Sequence, residues 1–120
     1  MRIFCCDDSA SFLVLLEDWL EDHDDVELVG TATSREDALE RAPHARADVV
    51  VTDTFAAFGD AAFLAALRTA VPGVPLVLYT GYAADQLTRE VVRAVDAVVV
   101  KGPDESSLVR ALRALTAEPG

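Results

Sequence analysis

The chain alternates short runs of β-branched and other apolar residues with longer stretches in which apolar residues recur at helical spacing. Strands produce the first pattern and amphipathic helices the second, so the alternation predicts repeated strand-helix units and a parallel sheet. The valine runs at 49–51 and 98–100 are apolar at every position, which is typical of strands covered by helices on both faces. The five predicted strands cover residues 3–6, 27–31, 49–52, 76–79 and 97–100.

Each predicted strand is followed by a stretch with helical periodicity. Ser34 should begin the second helix, because a serine with an acid three residues later, Asp37, has the spacing of a capping box, and Pro43 should end it. The apolar face predicted for the first helix consists of Phe12, Leu15, Leu16, Trp19 and Leu20. The five predicted helices cover residues 9–22, 34–42, 60–70, 85–94 and 104–117.

The length and composition fit a single domain. A chain of 120 residues with 52% hydrophobic residues can form one hydrophobic core, and no repeat or linker interrupts the order of elements. We therefore predict one α/β domain over residues 1–120, with helices on both faces of a doubly wound, five-stranded parallel sheet. Residues 117–120 are expected to be a tail or the start of a linker.

The charge balance excludes some partners. Ten Lys and Arg residues against 21 Asp and Glu residues give a net charge of −11, which repels polyanions, so no direct binding to nucleic acid or to an anionic membrane is expected. The longest uncharged stretch, 69–84, contains prolines and glycines that do not suit a membrane-spanning helix. The first apolar run reaches Asp7 too soon to be a signal peptide, so a cytoplasmic location is expected.

Four of the predicted strands end at residues that can bind a metal or a phosphate. Because the carboxyl ends of parallel strands lie at one edge of a sheet, we expect these side chains to form a single pocket. Carboxylates held about 4 Å apart repel each other by roughly 4 kcal/mol at an effective dielectric constant near 20, so the pocket should require a cation. Mg²⁺, or Mn²⁺ in its place, suits such oxygen ligands. The residues at the strand ends are Asp7, Asp8, Asp53, Thr80 and Lys101.

A structural explanation remains open for each of these residues taken singly. Asp and Thr often end strands in α/β domains because they cap the helix that follows and tolerate turns. Asp7, Asp8 and Ser9 could each cap the first helix, for example. Capping alone does not account well for all four strand ends together.

The order and spacing of these residues resemble the receiver domain of bacterial response regulators, the phosphoacceptor half of two-component signalling, over nearly the whole chain. The segments 28–32 and 48–53, with Lys101-Gly102, are most similar to receivers that precede a C-terminal helix-turn-helix DNA-binding domain. The resemblance implies a flavodoxin-like strand order, 2-1-3-4-5.

The resemblance also implies a role for each residue of the pocket. Asp53 would be the phosphorylated aspartate, and Mg²⁺ would be held by Asp7, Asp8, Asp53 and the backbone carbonyl of Phe55. Thr80 would be the switch hydroxyl, and Lys101 would contact the phosphoryl group. Phe55 and Tyr82 occupy positions that flank the hydrolytic water in this family, so their bulk predicts slow autodephosphorylation. The alternative is that both rings simply pack on the surface of the loop.

Two departures concern the loop after Asp53 and the relay of the signal. The family usually has Met-Pro where this chain has Ala56-Ala57, and a later glycine of that loop is replaced by Ala61. Three residues before the lysine, the family usually places a Tyr or Phe whose rotation accompanies the movement of the threonine. This chain has Val98 there, so the aromatic half of the usual switch is missing.

We therefore expect a phosphoacceptor signalling domain rather than an enzyme, with transfer and loss of the phosphoryl group as its only reactions. A sensor histidine kinase would be its donor, a DNA-binding domain outside this chain its output, and phosphorylation could lead to a homodimer. The alternative is a pseudo-receiver, an interaction or dimerisation module that works without phosphorylation. An aspartate-nucleophile phosphatase fits less well, because such enzymes need an acid two residues after the nucleophile, where this chain has Phe55.

Overall fold

Strands and helices alternate along the chain. The computed structural model describes residues 1–56 and 59–116, so Ala57 of the loop departure and the predicted tail at 117–120 lie outside the described residues. Among the described residues, no helix is long and apolar enough to cross a membrane. The strands are β1 Arg2–Cys6, β2 Glu27–Ala32, β3 Val49–Thr52, β4 Leu76–Thr80 and β5 Ala97–Val100. The α-helices are α1 Ala10–Leu20, α2 Arg35–Arg41, α3 Ala61–Ala70, α4 Arg89–Arg93 and α5 Ser106–Thr116.

The five strands form one parallel sheet in the order β2-β1-β3-β4-β5. This is the predicted doubly wound arrangement, which is confirmed. The strand order reverses between β1 and β3, since the chain moves outward from β1 to β2 and then returns to the other side. Ligands of open α/β sheets bind beyond the carboxyl ends of the strands at such a reversal.

Two hydrophobic layers enclose the sheet. Side chains alternate along each strand, so Cys5 packs with α1 and α5 on one face, whereas Cys6 packs with α2, α3 and α4 on the other. The same alternation places Tyr79 in the layer of α1 and α5 and Leu78 in the opposite layer. Both cysteines are buried and free.

Side-chain caps start the first three helices. The hydroxyl of Ser9 accepts a hydrogen bond from the Phe12 N–H at the start of α1, and Ser34 accepts one from the Asp37 N–H at the start of α2. The carboxylate of Asp60 caps α3 in the same way. These caps satisfy N–H groups that have no partner within the helix and so fix where each helix begins.

The fourth helix is shorter than predicted. Instead of one helix over residues 85–94, the structure has a 3₁₀ turn, Ala84–Gln86, and then α4 over Arg89–Arg93. Leu87 and Thr88 are extended between them, with ψ near 153° and 155°. Thr88 accepts a hydrogen bond from the Val91 N–H and thus acts as the N-cap, which delays the helix by one turn.

The buried face of α1 also differs from the prediction. Leu13, Leu16 and Leu20 are the buried residues of this helix, whereas Leu15 is 42% exposed. The spacing of three and four residues between the buried leucines places Leu15 at the edge of the apolar stripe. Phe12 and Trp19 pack against the core only in part.

Two polar contacts tie α5 to the loop between α1 and β2. Glu105, which precedes α5, contacts His23 with a distance of 2.9 Å between Oε1 and Nε2. Arg113 pairs with Asp25 at 2.8 Å and holds the pKa of that carboxyl at about 2. The hydrogen bond to His23 likewise lowers the pKa of Glu105. Since Glu105 lies four residues after Lys101, this contact anchors the segment that carries the lysine.

Gly59 allows the segment before α3 to pass close to α4. Its φ is +94°, and a Cβ at this position would lie 2.7 Å from Cγ2 of Val91. Val91 is buried and β-branched, so it has little freedom to move away. Gly73 also has a positive φ, +79°, but has open space around it.

These two glycines provide a matched test. Gly73→Ala should lower the free energy of unfolding by about 1 kcal/mol through backbone strain alone. Gly59→Ala should cost roughly 2–4 kcal/mol, because the clash with Val91 adds to the same strain. Urea denaturation of both variants would measure the difference. Equal losses would show that the contact between Gly59 and Val91 does not constrain the fold.

Candidate functional site

Backbone hydrogen bonds continue one residue beyond three of the strands and position the candidate site. The N–H of Asp7 donates to the Ala32 carbonyl at 3.0 Å, and the N–H of Asp53 donates to the Cys6 carbonyl at 2.8 Å. The N–H of Lys101 donates to the Thr80 carbonyl at 2.6 Å. Asp7, Asp53 and Lys101 are therefore fixed by the sheet itself rather than by a flexible loop.

The three predicted carboxylates lie together. Asp7, Asp8 and Asp53 each offer a carboxylate oxygen, and these oxygens all lie within 4.8 Å of one another. Asp7 is buried, Asp8 is exposed and Asp53 is intermediate, so the cluster opens to solvent on the side of Asp8. The pocket predicted from the strand ends is thus present as an acidic cluster.

Lys101 bridges two of these carboxylates. Its Nζ lies 2.7 Å from Oδ2 of Asp7 and 3.3 Å from Oδ1 of Asp53. The side chains of all three residues are mostly buried, with 23%, 5% and 14% exposure for Lys101, Asp7 and Asp53. The cluster therefore holds three carboxylates and one ammonium group, and it retains excess negative charge.

The pKa of Asp7 reflects its burial first and the neighbouring charges second. Burial raises the pKa of its carboxyl above the usual range. Hydrogen bonds from Lys101 and from the N–H of Ser9 lower it, but they do not offset the burial, and the nearby charge of Asp53 raises it further. The ionised form of Asp7 is thus held in an unfavourable environment, which a second cation would improve.

Thr80 is fully buried at the end of β4, at the same edge of the sheet as the acids. Its hydroxyl accepts a hydrogen bond from the N–H of Tyr82 at 3.1 Å. A hydroxyl group can donate while it accepts, so this contact leaves Thr80 able to donate to an anion. Tyr82 itself is 36% exposed.

Phe55 has an unusual backbone conformation and a partner that the sequence did not indicate. Its φ is +57°, a strained value for a residue with a side chain. Its carbonyl oxygen accepts a hydrogen bond of 3.1 Å from Nη2 of Arg35, and Nε of Arg35 lies 2.9 Å from Asp60. The ring of Phe55 packs edge to face on Phe63. Arg35 directly follows a helix cap, and no spacing in the sequence linked it to the pocket.

Two aromatic rings border the ammonium of Lys101. Its Nζ lies 4.2 Å from the centroid of the Phe12 ring and 6.0 Å from that of Tyr79. The sequence placed Phe12 in the core only. Its position four residues after Asp8, in the first turn of α1, was the signal that could have placed it beside the pocket.

Val98 lies on the opposite face of the sheet from these two rings. It pairs with Leu78 and packs in part against the layer formed by α2, α3 and α4. The position at which the resemblance implies an aromatic switch residue therefore has an aliphatic side chain on that face.

The residues of the cluster fit a hard divalent cation. Every candidate side-chain ligand is a carboxylate oxygen, which Mg²⁺ and Mn²⁺ prefer, and the exposed side of Asp8 leaves room for water ligands. Backbone N–H groups donate to one oxygen of Asp7 and one oxygen of Asp53, so the positions of both carboxylates are fixed for binding a metal. The cluster can therefore hold a metal without any change in fold.

Comparison with protein families gives one match that covers most of the chain. Residues 3–113 match the family described as response regulator receiver domain. No curated protein sequence matches this chain significantly.

Solved structures of receiver domains share the fold. The isolated REC domain of RcsB from Salmonella enterica serovar Typhimurium, in the presence of phosphomimetic BeF₃⁻, has a TM-score of 0.81 and 20% identity over 96% of this chain and 87% of that chain. RcsB bound to promoter rprA has a TM-score of 0.82 and 22% identity over 96% of this chain but 59% of its own length. A LuxR family response regulator from Aurantimonas sp. SI85-9A1 has a TM-score of 0.82 and 20% identity, with 95% and 83% coverage.

A bound metal would relieve the repulsion between the carboxylates, so metal binding should be measurable as an increase in the stability of the fold. Mg²⁺ at about ten times its Kd should stabilise the protein by about 1.4 kcal/mol, which raises the melting temperature by roughly 5 °C. Asp8→Asn should abolish most of this gain, because it removes one ligand at an exposed position. Asp24→Asn, an exposed acid in the loop at the opposite edge of the sheet, is the matched control and should keep it.

The measurement is thermal unfolding with and without Mg²⁺. An equal gain in the Asp8 and Asp24 variants would mean that the ion acts on the overall charge of −11 and not on the cluster.

Proposed function

We propose that this chain, which belongs to the response regulator receiver domain family, accepts a phosphoryl group on Asp53 from a histidine of a sensor kinase. The observation that supports this most directly is the meeting of three carboxylates and one ammonium at the carboxyl edge of the sheet. A pseudo-receiver without phosphorylation would have no need to maintain such a repulsive cluster.

Asp53 is the proposed nucleophile. Its side chain keeps 14% exposure, more than that of Asp7, so a donor can reach it. Its Oδ2 accepts a hydrogen bond from the N–H of Phe55 and its Oδ1 contacts Lys101, which together fix the carboxylate. An oxygen of Asp53 forms a bond to phosphorus while the bond from phosphorus to the donor's imidazole nitrogen breaks, and the imidazole takes up a proton as it leaves.

The remaining residues of the pocket bind the transferred group. Asp7, Asp8, Asp53 and the carbonyl of Phe55 are the proposed ligands of Mg²⁺, or of Mn²⁺. When bound, the metal supplies positive charge that neutralises the phosphoryl oxygens. Lys101 donates to one of these oxygens as a second positive charge, and Thr80 donates its hydroxyl to another.

To bind Mg²⁺, the carbonyl of Phe55 must either release its present hydrogen-bond donor or accept from that donor and contact the metal together. It now accepts the hydrogen bond from Arg35. A carbonyl oxygen has two lone pairs, so it can keep Arg35 and still face a cation. This is the part of the proposed ligand set that has the most to rearrange.

The proposed output passes to a second domain. The DNA-bound RcsB chain is longer than this one, which spans 59% of it. We propose that this chain likewise acts in the cytoplasm as the input domain of a transcription regulator, joined to a C-terminal DNA-binding domain beyond the tail at 117–120. The receiver itself would not contact DNA, because its net charge is −11. A homodimer formed on phosphorylation is the proposed intermediate step.

The proposed acceptor can be tested by mass. Incubation with a small acyl-phosphate donor and Mg²⁺ should add one phosphoryl group to the wild-type chain, measured by intact-protein mass spectrometry. Asp53→Asn should show no such adduct, whereas Asp24→Asn should gain it normally. An adduct that persists in Asp53→Asn would place the modification elsewhere, and no adduct on the wild type would favour the pseudo-receiver.

A second test concerns the lifetime of the phosphoryl group. We propose that Tyr82 and Phe55 slow hydrolysis by excluding water from the pocket. Tyr82→Ser should shorten the lifetime roughly threefold, about 0.6 kcal/mol of barrier. Phe55→Ser should act in the same direction, but it also loses the packing of Phe55 on Phe63. Decay after removal of the donor gives the rate, and an unchanged lifetime in both variants would refute the role.

A further inference from the structure

Besides two carboxylates, the ammonium of Lys101 contacts an aromatic ring. Asp7 and Asp53 contact it through oxygen atoms, and the face of Phe12 contacts it at 4.2 Å from the ring centroid. An ammonium at this distance is attracted by the negative face of the ring, more strongly where water is excluded. Lys101 is 23% exposed, so much of its surrounding water is excluded.

The ring of Phe12 is held in place by other aromatic rings. Tyr79 lies against it with centroids 5.8 Å apart, and Trp19 meets it edge to face at 6.3 Å. The Phe12 N–H also donates to Ser9, which begins α1. The helix cap that follows the two acids therefore also sets the position of the ring beside the lysine.

The geometry of the pocket explains why such a support matters. Asp7 holds Lys101 more closely than Asp53 does, at 2.7 Å against 3.3 Å. In the proposed function, Lys101 must turn from Asp7 towards a phosphoryl oxygen on Asp53. A ring contact has no single direction, so it can stay in place while the ammonium exchanges one oxygen partner for another.

We propose that Phe12, supported by Tyr79, forms an aromatic seat for the Lys101 ammonium and is a positioning residue for phosphoryl transfer. The catalytic part of this inference rests on the proposed function. The seat lies on the face of α1 and α5, opposite to Val98, so the aromatic contact with the site comes from α1 and not from β5. Phe12 acts through Lys101 and does not itself touch the phosphoryl group.

Nuclear magnetic resonance tests the seat without any phosphorylation. Protons of the Lys101 side chain above the Phe12 ring should resonate upfield of their usual position because of the ring current. Phe12→Leu should remove this shift, whereas Phe12→Tyr should keep it because the aromatic face remains. If the wild-type protons resonate at their usual position, the seat does not exist in solution and the proposal fails.

Phosphorylation kinetics test the positioning role. With a small acyl-phosphate donor and Mg²⁺, Phe12→Leu should accept phosphate about threefold to tenfold more slowly, as expected for the loss of one cation-π contact. Phe12→Tyr should recover the wild-type rate to within about twofold. Leu15→Ala, a change at an exposed residue of the same helix, is the control and should react at the wild-type rate. The Kd for Mg²⁺, measured by thermal shift, should not follow the rate.

The outcomes separate this proposal from the function on which it rests. Equal rates for the Leu and Tyr variants would overturn the positioning role, and a loss of Mg²⁺ binding in step with the rate would show that Phe12 only supports the fold. A wild-type chain that accepts no phosphate but shows the ring-current shift, lost in Phe12→Leu, would overturn the proposed function and support the seat.

Discussion

The continuation of the parallel sheet beyond its strands is the constraint on which the site depends. The N–H groups of Asp7, Asp53 and Lys101 each complete the hydrogen-bonding ladder of a neighbouring strand. Because these bonds belong to the sheet, and both faces of the sheet are buried under helices, the backbones of Asp7 and Asp53 cannot move apart to relieve the repulsion between their carboxylates. Folding therefore imposes a cluster that is unfavourable by itself, and the pKa of Asp7 is raised mainly because the fold buries its carboxyl. Charge that the backbone holds in place can be relieved by a bound cation or by protonation of a carboxylate.

The sequence predicted what depends on local pattern. Apolar runs followed by Asp7, Asp53, Thr80 and Lys101 were sufficient to predict a parallel sheet with one polar edge. The contacts of Arg35 with Phe55, and of Phe12 with Lys101, were not predicted, because each joins segments whose relative positions only the folded chain defines. The predicted length of α4 was wrong for a related reason. The hydroxyl of Thr88 accepts a hydrogen bond from the backbone and so favours a helix start at this residue over a continuous helix. The spacing of apolar residues does not reveal this competition.

The alternation of side chains across the sheet determines which elements can respond to the site. Leu78 pairs with Val98, so Tyr79 and Val98, one residue out of phase, face opposite layers. An aromatic at Tyr79 cannot replace one at position 98, since no rotamer crosses the sheet. The two aromatic rings that border Lys101 thus lie on the side of α1 and α5, whereas the aliphatic Val98 lies on the side of α4.

Lys101 connects the charge balance to the proposed reaction. In the structure it serves as counter-ion to Asp7 and Asp53, and these two ion pairs would hold it away from any incoming group. A divalent cation among the three acids would take over that task, because it supplies two positive charges where the lysine supplies one. The ammonium, still supported by the ring of Phe12, would then be available for a phosphoryl oxygen. Metal binding and phosphate acceptance would in this way be coupled through one side chain, since the lysine cannot fully neutralise the acids and bind the phosphoryl group at the same time.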